Sequence, residues 1–218
     1  MDTQTTETIV LNNRVVLKGA IDMHSVRPLE NKGDSVIAFE IRTMRESLTT
    51  DTISCIARKD LFEDLKENML EGGVVEFYGS FRSRNWQDLN GRTHLQLYVN
   101  VEEVFSKEAT MYLLKDVNEI HLKGTICKTP LVRKTPGGRV ITDICLAVNR
   151  DNSKKSDYIP CIGWNKGAKL LGELKVGDKL YIEGRIQSRD YIKRTEDGQQ
   201  IEKRAYEVSI KKFNVDKE

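Results

Sequence analysis

Metal-binding side chains are scarce in this chain. Its 218 residues include four cysteines and three histidines, and no two cysteines form a CxxC pair. No metal site is expected from so thin a set. Cys55 and Cys161 fall inside apolar strand patterns, so the thiols read as small hydrophobes in a reducing compartment, not as disulfides. No apolar run approaches the roughly 18 residues that a membrane-spanning helix needs. The start, Met1-Asp2-Thr3-Gln4-Thr5-Thr6-Glu7-Thr8, has neither the basic opening nor the apolar run of a secretory leader. These absences lead to the expectation of a soluble cytoplasmic protein with no membrane partner. Catalytic signals are missing too. There is no GxxxxGKS/T loop, no recurring carboxylate cluster, and no constellation of Ser, His or Cys. Neither catalytic residues nor a cofactor are expected, and the chain does not read as an enzyme. Nor is there an excess of one charge: 35 Lys+Arg against 33 Asp+Glu leave a net +2.

What the chain does have is a repeat. Leu17-Lys18-Gly19 returns as Leu122-Lys123-Gly124, an offset of about 105 residues. Gly79 to Trp86 returns at the same offset as Gly184 to Tyr191, and Ser54-Cys55-Ile56 returns as Pro160-Cys161-Ile162. A shift this long means a duplicated domain and not a solenoid. The halves differ in charge. Residues 1–110 hold 13 basic and 18 acidic side chains, the remainder 22 and 15. The second copy is therefore expected to make most contacts to any polyanion.

Periodicity gives each copy three strands, one helix and two strands. In the second copy the strands lie near 118–127, 140–149, 157–164, 179–189 and 201–213, with a helix over 165–174. Residues 128–138 read as a long turn and 190–200 as a loop. The first copy matches, with strands near 13–22, 34–44, 52–58, 74–84 and 92–104 and a helix near 59–69. Five short strands with a helix between the third and fourth are the signature of the OB-fold. The fold class is thus all-β, with one short helix per domain: two tandem five-stranded OB-fold barrels over 9–107 and 118–215, joined by a linker at 108–117.

The fourth strand of each copy carries the chemistry. Alternation sends Leu180, Ile182, Gly184 and Ile186 inward, and Arg185, Gln187 and Arg189 outward with Tyr191 following in register. The first copy places Arg82, Arg84 and Trp86 on its outer face. A solvated strand face accounts for the arginines but not for a large aromatic at the same place in both copies. At the end of the third strand, Trp164 and Tyr158 share one face. Their repeat counterparts, Arg58 and Thr52, are polar, which favours a wet face over a core for Trp164 and leaves Tyr158 open between the two. A guanidinium such as Arg58 can also stack on a base. The loops of the second copy add Arg133, Lys134, Arg150, Lys154, Lys155, Lys193 and Arg194. Aromatics interleaved with cations fit a flexible polyanion with flat bases.

Cys145 to Arg150, Asp157 to Lys166, and Tyr181 to Tyr191 resemble, in order and spacing, the bacterial single-stranded DNA-binding protein family. So does Tyr78 to Asp88 with the following Asn90-Gly91 turn. The resemblance is to a tandem two-domain form. It implies non-catalytic, sequence-tolerant binding of single-stranded DNA in replication, recombination or repair, and a nucleoid location. It also implies base stacking on Trp86, Tyr191, Trp164 and Tyr158, and a homodimer that brings four OB domains together. The family's flexible linker and acidic tip are not found, so replication proteins would not be recruited through such a tail. A primosome-type scaffold bridging replication proteins, with weaker nucleic-acid binding, is the alternative implied by the same fold. RNA binding is a third reading, since stacking does not sense the 2′-hydroxyl.

Overall fold

Alternating apolar positions build two sets of strands in this computed structural model, which describes residues 12–30, 35–88, 91–112, 115–151, 153–194 and 198–216. The polar amino-terminal stretch, the expected domain start at residue 9 and Asn90 lie outside those residues. The first set is β1 (Asn13–Glu30), β2 (Ser35–Met44), β3 (Thr50–Arg58), β4 (Val74–Gln87) and β5 (Thr93–Val104), with helix α1 (Lys59–Glu67) between β3 and β4. Helix α2 (Lys107–Met111) leads to the second set. That set is β6 (Val117–Ile126), β7 (Leu131–Lys134), β8 (Val140–Asn149), β9 (Ser156–Trp164), β10 (Lys179–Arg194) and β11 (Gln200–Asp216). Helix α3 (Asn165–Gly172) lies between β9 and β10.

Each set closes on itself. The first runs β1-β2-β3-β5-β4 and back to β1, the second β6-β8-β9-β11-β10 and back to β6. Closure removes the open edges that so small a sheet would otherwise expose. The expected pair of five-stranded all-β barrels is what forms. Phe39 packs against Phe62 of α1 with ring centroids 5.4 Å apart, and against Phe77 at 6.3 Å. The second barrel fills the same space with aliphatic side chains, among them Ile126, Leu146 and Ile182, and α3 adds Ala168 and Leu171. The repeated glycines mark close approaches. A Cβ on Gly79 or Gly184 would collide with the carbonyl oxygen of Asn100 or Ser209. At both points the ladder to the next strand slips register.

Three sequence expectations need correction. Residues 128–138 are not one turn, because β7 forms inside them and pairs with β8. Pro130 on one side and the Gly137-Gly138 turn on the other hid a four-residue strand. Residues 190–200 are not one loop either, since β10 continues to Arg194 opposite Gln200. The linker holds a third helix. Ser106 caps it by accepting the Ala109 N–H, and the buried Lys18 ammonium bonds the Thr110 carbonyl.

β1 pairs with β6 from Asn13↔Leu122 to Lys18↔Val117, so one sheet runs through both barrels. Two fully buried carboxylates then clasp the barrels reciprocally. Asp157, from the second barrel, accepts the Ser83 N–H of the first at 2.7 Å. It is gripped by Arg150 at 2.6 and 3.0 Å and by Arg82 at 3.2 Å. Asp51, from the first barrel, accepts the Ser188 N–H of the second at 2.8 Å and is gripped by Arg45. The serines answer in kind: Ser83 Oγ accepts the Tyr158 N–H at 2.8 Å, and Ser188 Oγ the Thr52 N–H at 2.9 Å. Removing one member of a buried ion pair leaves uncompensated charge, at a cost of about 3–5 kcal/mol, whereas a neutral hydrogen bond contributes about 1 kcal/mol. Asp157→Ala should therefore lower stability in urea unfolding several times more than Ser83→Ala. Equal losses would remove the clasp as the main inter-barrel interaction.

Candidate nucleic-acid interface

Beyond their barrels, β4 and β10 continue as arms of two hairpins. In the first arm Arg82 lies opposite Tyr98, Arg84 opposite Gln96 and Trp86 opposite His94. The second extends Arg189 and Tyr191 to Lys193 on the same strand face. Both arms run past the last inward apolar residues, Phe81 and Ile186, and from Arg84 and Arg189 outward their side chains face water. Trp86 is 44% exposed and Tyr191 42% exposed.

Trp86 does not stand alone. The His94 ring stacks on it with centroids 4.7 Å apart and planes 25° apart, and His94 Nε2 lies 2.8 Å from the Asp88 carboxylate. The imidazole thus backs an indole that remains partly exposed. Sequence reasoning passed over His94. The Asn90-Gly91 turn was the available signal, because a tight turn fixes which residues face each other across a hairpin.

Tyr158, 47% exposed, projects from the second barrel. Its N–H is bound by Ser83, so it stands beside the first barrel's arm. The structure therefore sets the Tyr158 backbone against Ser83 across the barrel boundary. Thr52 takes the equivalent place beside Ser188. Trp164 is half-buried at the start of α3, and its ring N–H donates to Ser209 Oγ at 3.1 Å. Arg58 begins α1 in the same way and is exposed, paired with Asp60 at 2.6 Å.

The candidate cations divide into two groups. Arg82 and Arg150 are engaged by Asp157, Arg133 is engaged by Asp143, and Arg58 by Asp60. Arg185 lies 3.6 Å from Asp51 and donates to Gln187 at 3.1 Å. Arg84, Arg189, Lys134, Lys154, Lys155, Lys193 and Arg194 are exposed.

Burial and fixed charge tune the groups around these arms. The Asp157 hydrogen bonds push Arg150 up, and Asp51 does the same for Arg45. Burial pushes Arg185 down, helped by the nearby Arg45 charge. Glu207 is raised, chiefly by burial, against the pull of Arg189. Its carboxylate accepts from the Gln187 amide at 3.0 Å. Burial raises the Tyr206 phenol to about 12. Among the described residues, no group of three or more His, Cys, Asp or Glu could hold a metal ion, and no helix is long and apolar enough to cross a membrane.

Residues 117–216 match the model of the Single-strand binding protein family. Single-stranded DNA-binding protein 2 of Listeria innocua is 36% identical over 81 residues, which cover 34% of this chain and 51% of that protein. Single-stranded DNA-binding protein A of Bacillus subtilis is 33% identical over 81 residues, covering 34% and 47%. The chain thus spans about half the length of these relatives. The crystal structure of the wild-type single-stranded DNA binding protein from Thermus aquaticus superposes with a TM-score of 0.66 at 19% identity. That likeness of fold covers 94% of this chain and 93% of the other.

A raised Glu207 has a consequence for stability. Between the ordinary carboxyl value of 4.5 and its raised value, the folded chain holds a proton that the unfolded chain has lost. Stability must then fall as pH rises through that interval. In Glu207→Gln this loss disappears. The variant's advantage in melting temperature over wild type should grow from about pH 4.5 upward and then level off. An advantage that does not change with pH would mean that Glu207 titrates normally.

Proposed function

We propose that this chain, which belongs through its second barrel to the Single-strand binding protein family, binds single-stranded DNA without sequence preference and without catalysis. Bases stack on Trp86, Tyr158 and Tyr191, with Trp164 offering a partly open ring edge and Arg58 an exposed guanidinium. Phosphates are met by Arg84, Arg189, Lys134, Lys154, Lys155, Lys193 and Arg194. Arg82, Arg133, Arg150 and Arg185 serve the same polyanion more weakly, because carboxylates already hold them or lie close by. The observation that carries this reading is the pair of water-facing arms, each ending in an exposed aromatic beside exposed cations. Stacking tolerates any base, since every base has a π-face, and phosphate contacts carry no sequence information.

The reading extends to assembly. The outer face of the sheet shared by β4, β1, β6 and β10 carries Tyr78, against which Phe105 packs at 4.5 Å and over which Arg14 lies at 4.3 Å. On the same face His121 is 2.9 Å from the Tyr181 hydroxyl. A second copy docked there would bury these rings and bring four barrels together, and a self-complementary face suits a two-fold dimer. The setting that fits such a protein is DNA replication, recombination or repair.

Fluorescence titration with oligo-dT tests the stacking. Base–aromatic stacking contributes about 1–3 kcal/mol per base, so Trp86→Ala, Tyr158→Ala and Tyr191→Ala should each weaken binding about 5- to 150-fold with little change in Tm. Trp164→Ala should lower both affinity and Tm, because its ring N–H is bonded to Ser209. Arg84→Ala should flatten the salt dependence of binding, whereas Arg133→Ala should change it less. Unchanged affinity in all three exposed-ring variants would end the proposal, and a matched RNA oligomer that outcompetes DNA would redirect it to RNA.

A further inference from the structure

The second barrel is closed by a thin seam. β6 and β8 pair only at Thr125↔Ala147 and Ile126↔Leu146, whereas in the first barrel β1 and β2 pair from Ala20↔Arg42 to Asp22↔Glu40 and again from Arg27↔Ala38 to Glu30↔Ser35. At the mouth of the thin seam stand two thiols. The Cys127 N–H donates to the Cys145 carbonyl at 2.9 Å, and Cys127 Sγ lies 3.3 Å from the same oxygen. Continuing the ladder by one step sets Cys127 opposite Cys145. The repeat supports that placement, because the counterparts of these positions, Asp22 and Glu40, are directly paired in the first barrel. Both thiols are half-buried, unlike the buried Cys55 and Cys161.

Residues opposite one another on antiparallel strands have Cα atoms about 4.5–5.5 Å apart. That lies within the window of about 4.4–6.8 Å that a disulfide spans. We propose that Cys127 and Cys145 are a redox pair that forms a reversible cross-strand disulfide and locks the seam of the second barrel. A small-molecule disulfide, RSSR, is the oxidant. The Cys127 thiolate attacks one RSSR sulfur. The RS–SR bond breaks, a mixed disulfide forms at Cys127, and the first RS⁻ leaves with the proton that Cys127 gave up. The Cys145 sulfur, losing its own proton, then attacks the Cys127 sulfur and displaces the second RS⁻. Two protein thiols are oxidised, and RSSR is reduced to two RSH. Cys127 goes first because burial pushes the Cys145 thiol up to about 12.

The inference does not depend on DNA binding, and it is tested on the native full chain in a glutathione redox buffer. Peptide mapping should find Cys127 linked to Cys145, with Cys55 and Cys161 still free. The oxidised protein should melt about 5–10 °C higher, as expected for a short covalent loop in a chain of this size. Dithiothreitol should restore the original curve. Cys145→Ser should stop at a glutathione adduct on Cys127. A link that forms only in denaturant, one that engages Cys55 or Cys161, or one that leaves Tm unchanged or lower would overturn the proposal.

Discussion

Two carboxylates that never meet water hold the molecule in its working shape. Asp51 and Asp157 are each fully buried, and each leaves its own barrel to bond a backbone N–H in the other. Buried charge is tolerable only when paired and hydrogen-bonded. Arg45, Arg82 and Arg150 supply the pairing, and Ser83 and Ser188 supply the hydrogen bonds. The shared sheet from β1 to β6 aligns the barrels along one direction. The carboxylates fix how far one is turned against the other.

That constraint reaches the surface directly. Ser83 sits three residues before Trp86, and the same serine holds the N–H of Tyr158. The backbone of one barrel is therefore tied to the strand that carries Trp86 on the other. The clasp also sorts the arginines. Those that grip buried carboxylates set the geometry, whereas those farther out on the arms, such as Arg84 and Arg189, lie open to water. Their spacing along the strand looks the same in sequence.

Local rules made much of this legible. Leu180, Ile182 and Ile186 alternate as a strand buried on one side must, and Ala168 and Leu171 keep helical spacing, so the element order could be read directly. Trp86 and Tyr191 stood out because aromatics recurred where no core required them. What escaped depended on partners far along the chain. Asp157 entered the sequence reading only as the first residue of a strand, and its bonds run to Ser83 and Arg82 in the other half. His94 became visible only once the hairpin set it against Trp86. β7 was hidden by the proline and glycines at its ends.

The duplication has since lost its symmetry, and that loss has a consequence. At the barrel boundary Ser83 holds the backbone of a tyrosine, Tyr158, whereas Ser188 holds that of a threonine, Thr52. A pair of identical barrels would present the same view to a polymer approaching from either end. Here the two contacts differ, so the fused chain carries a chemical asymmetry between its ends that a pair of identical barrels related by a two-fold axis lacks.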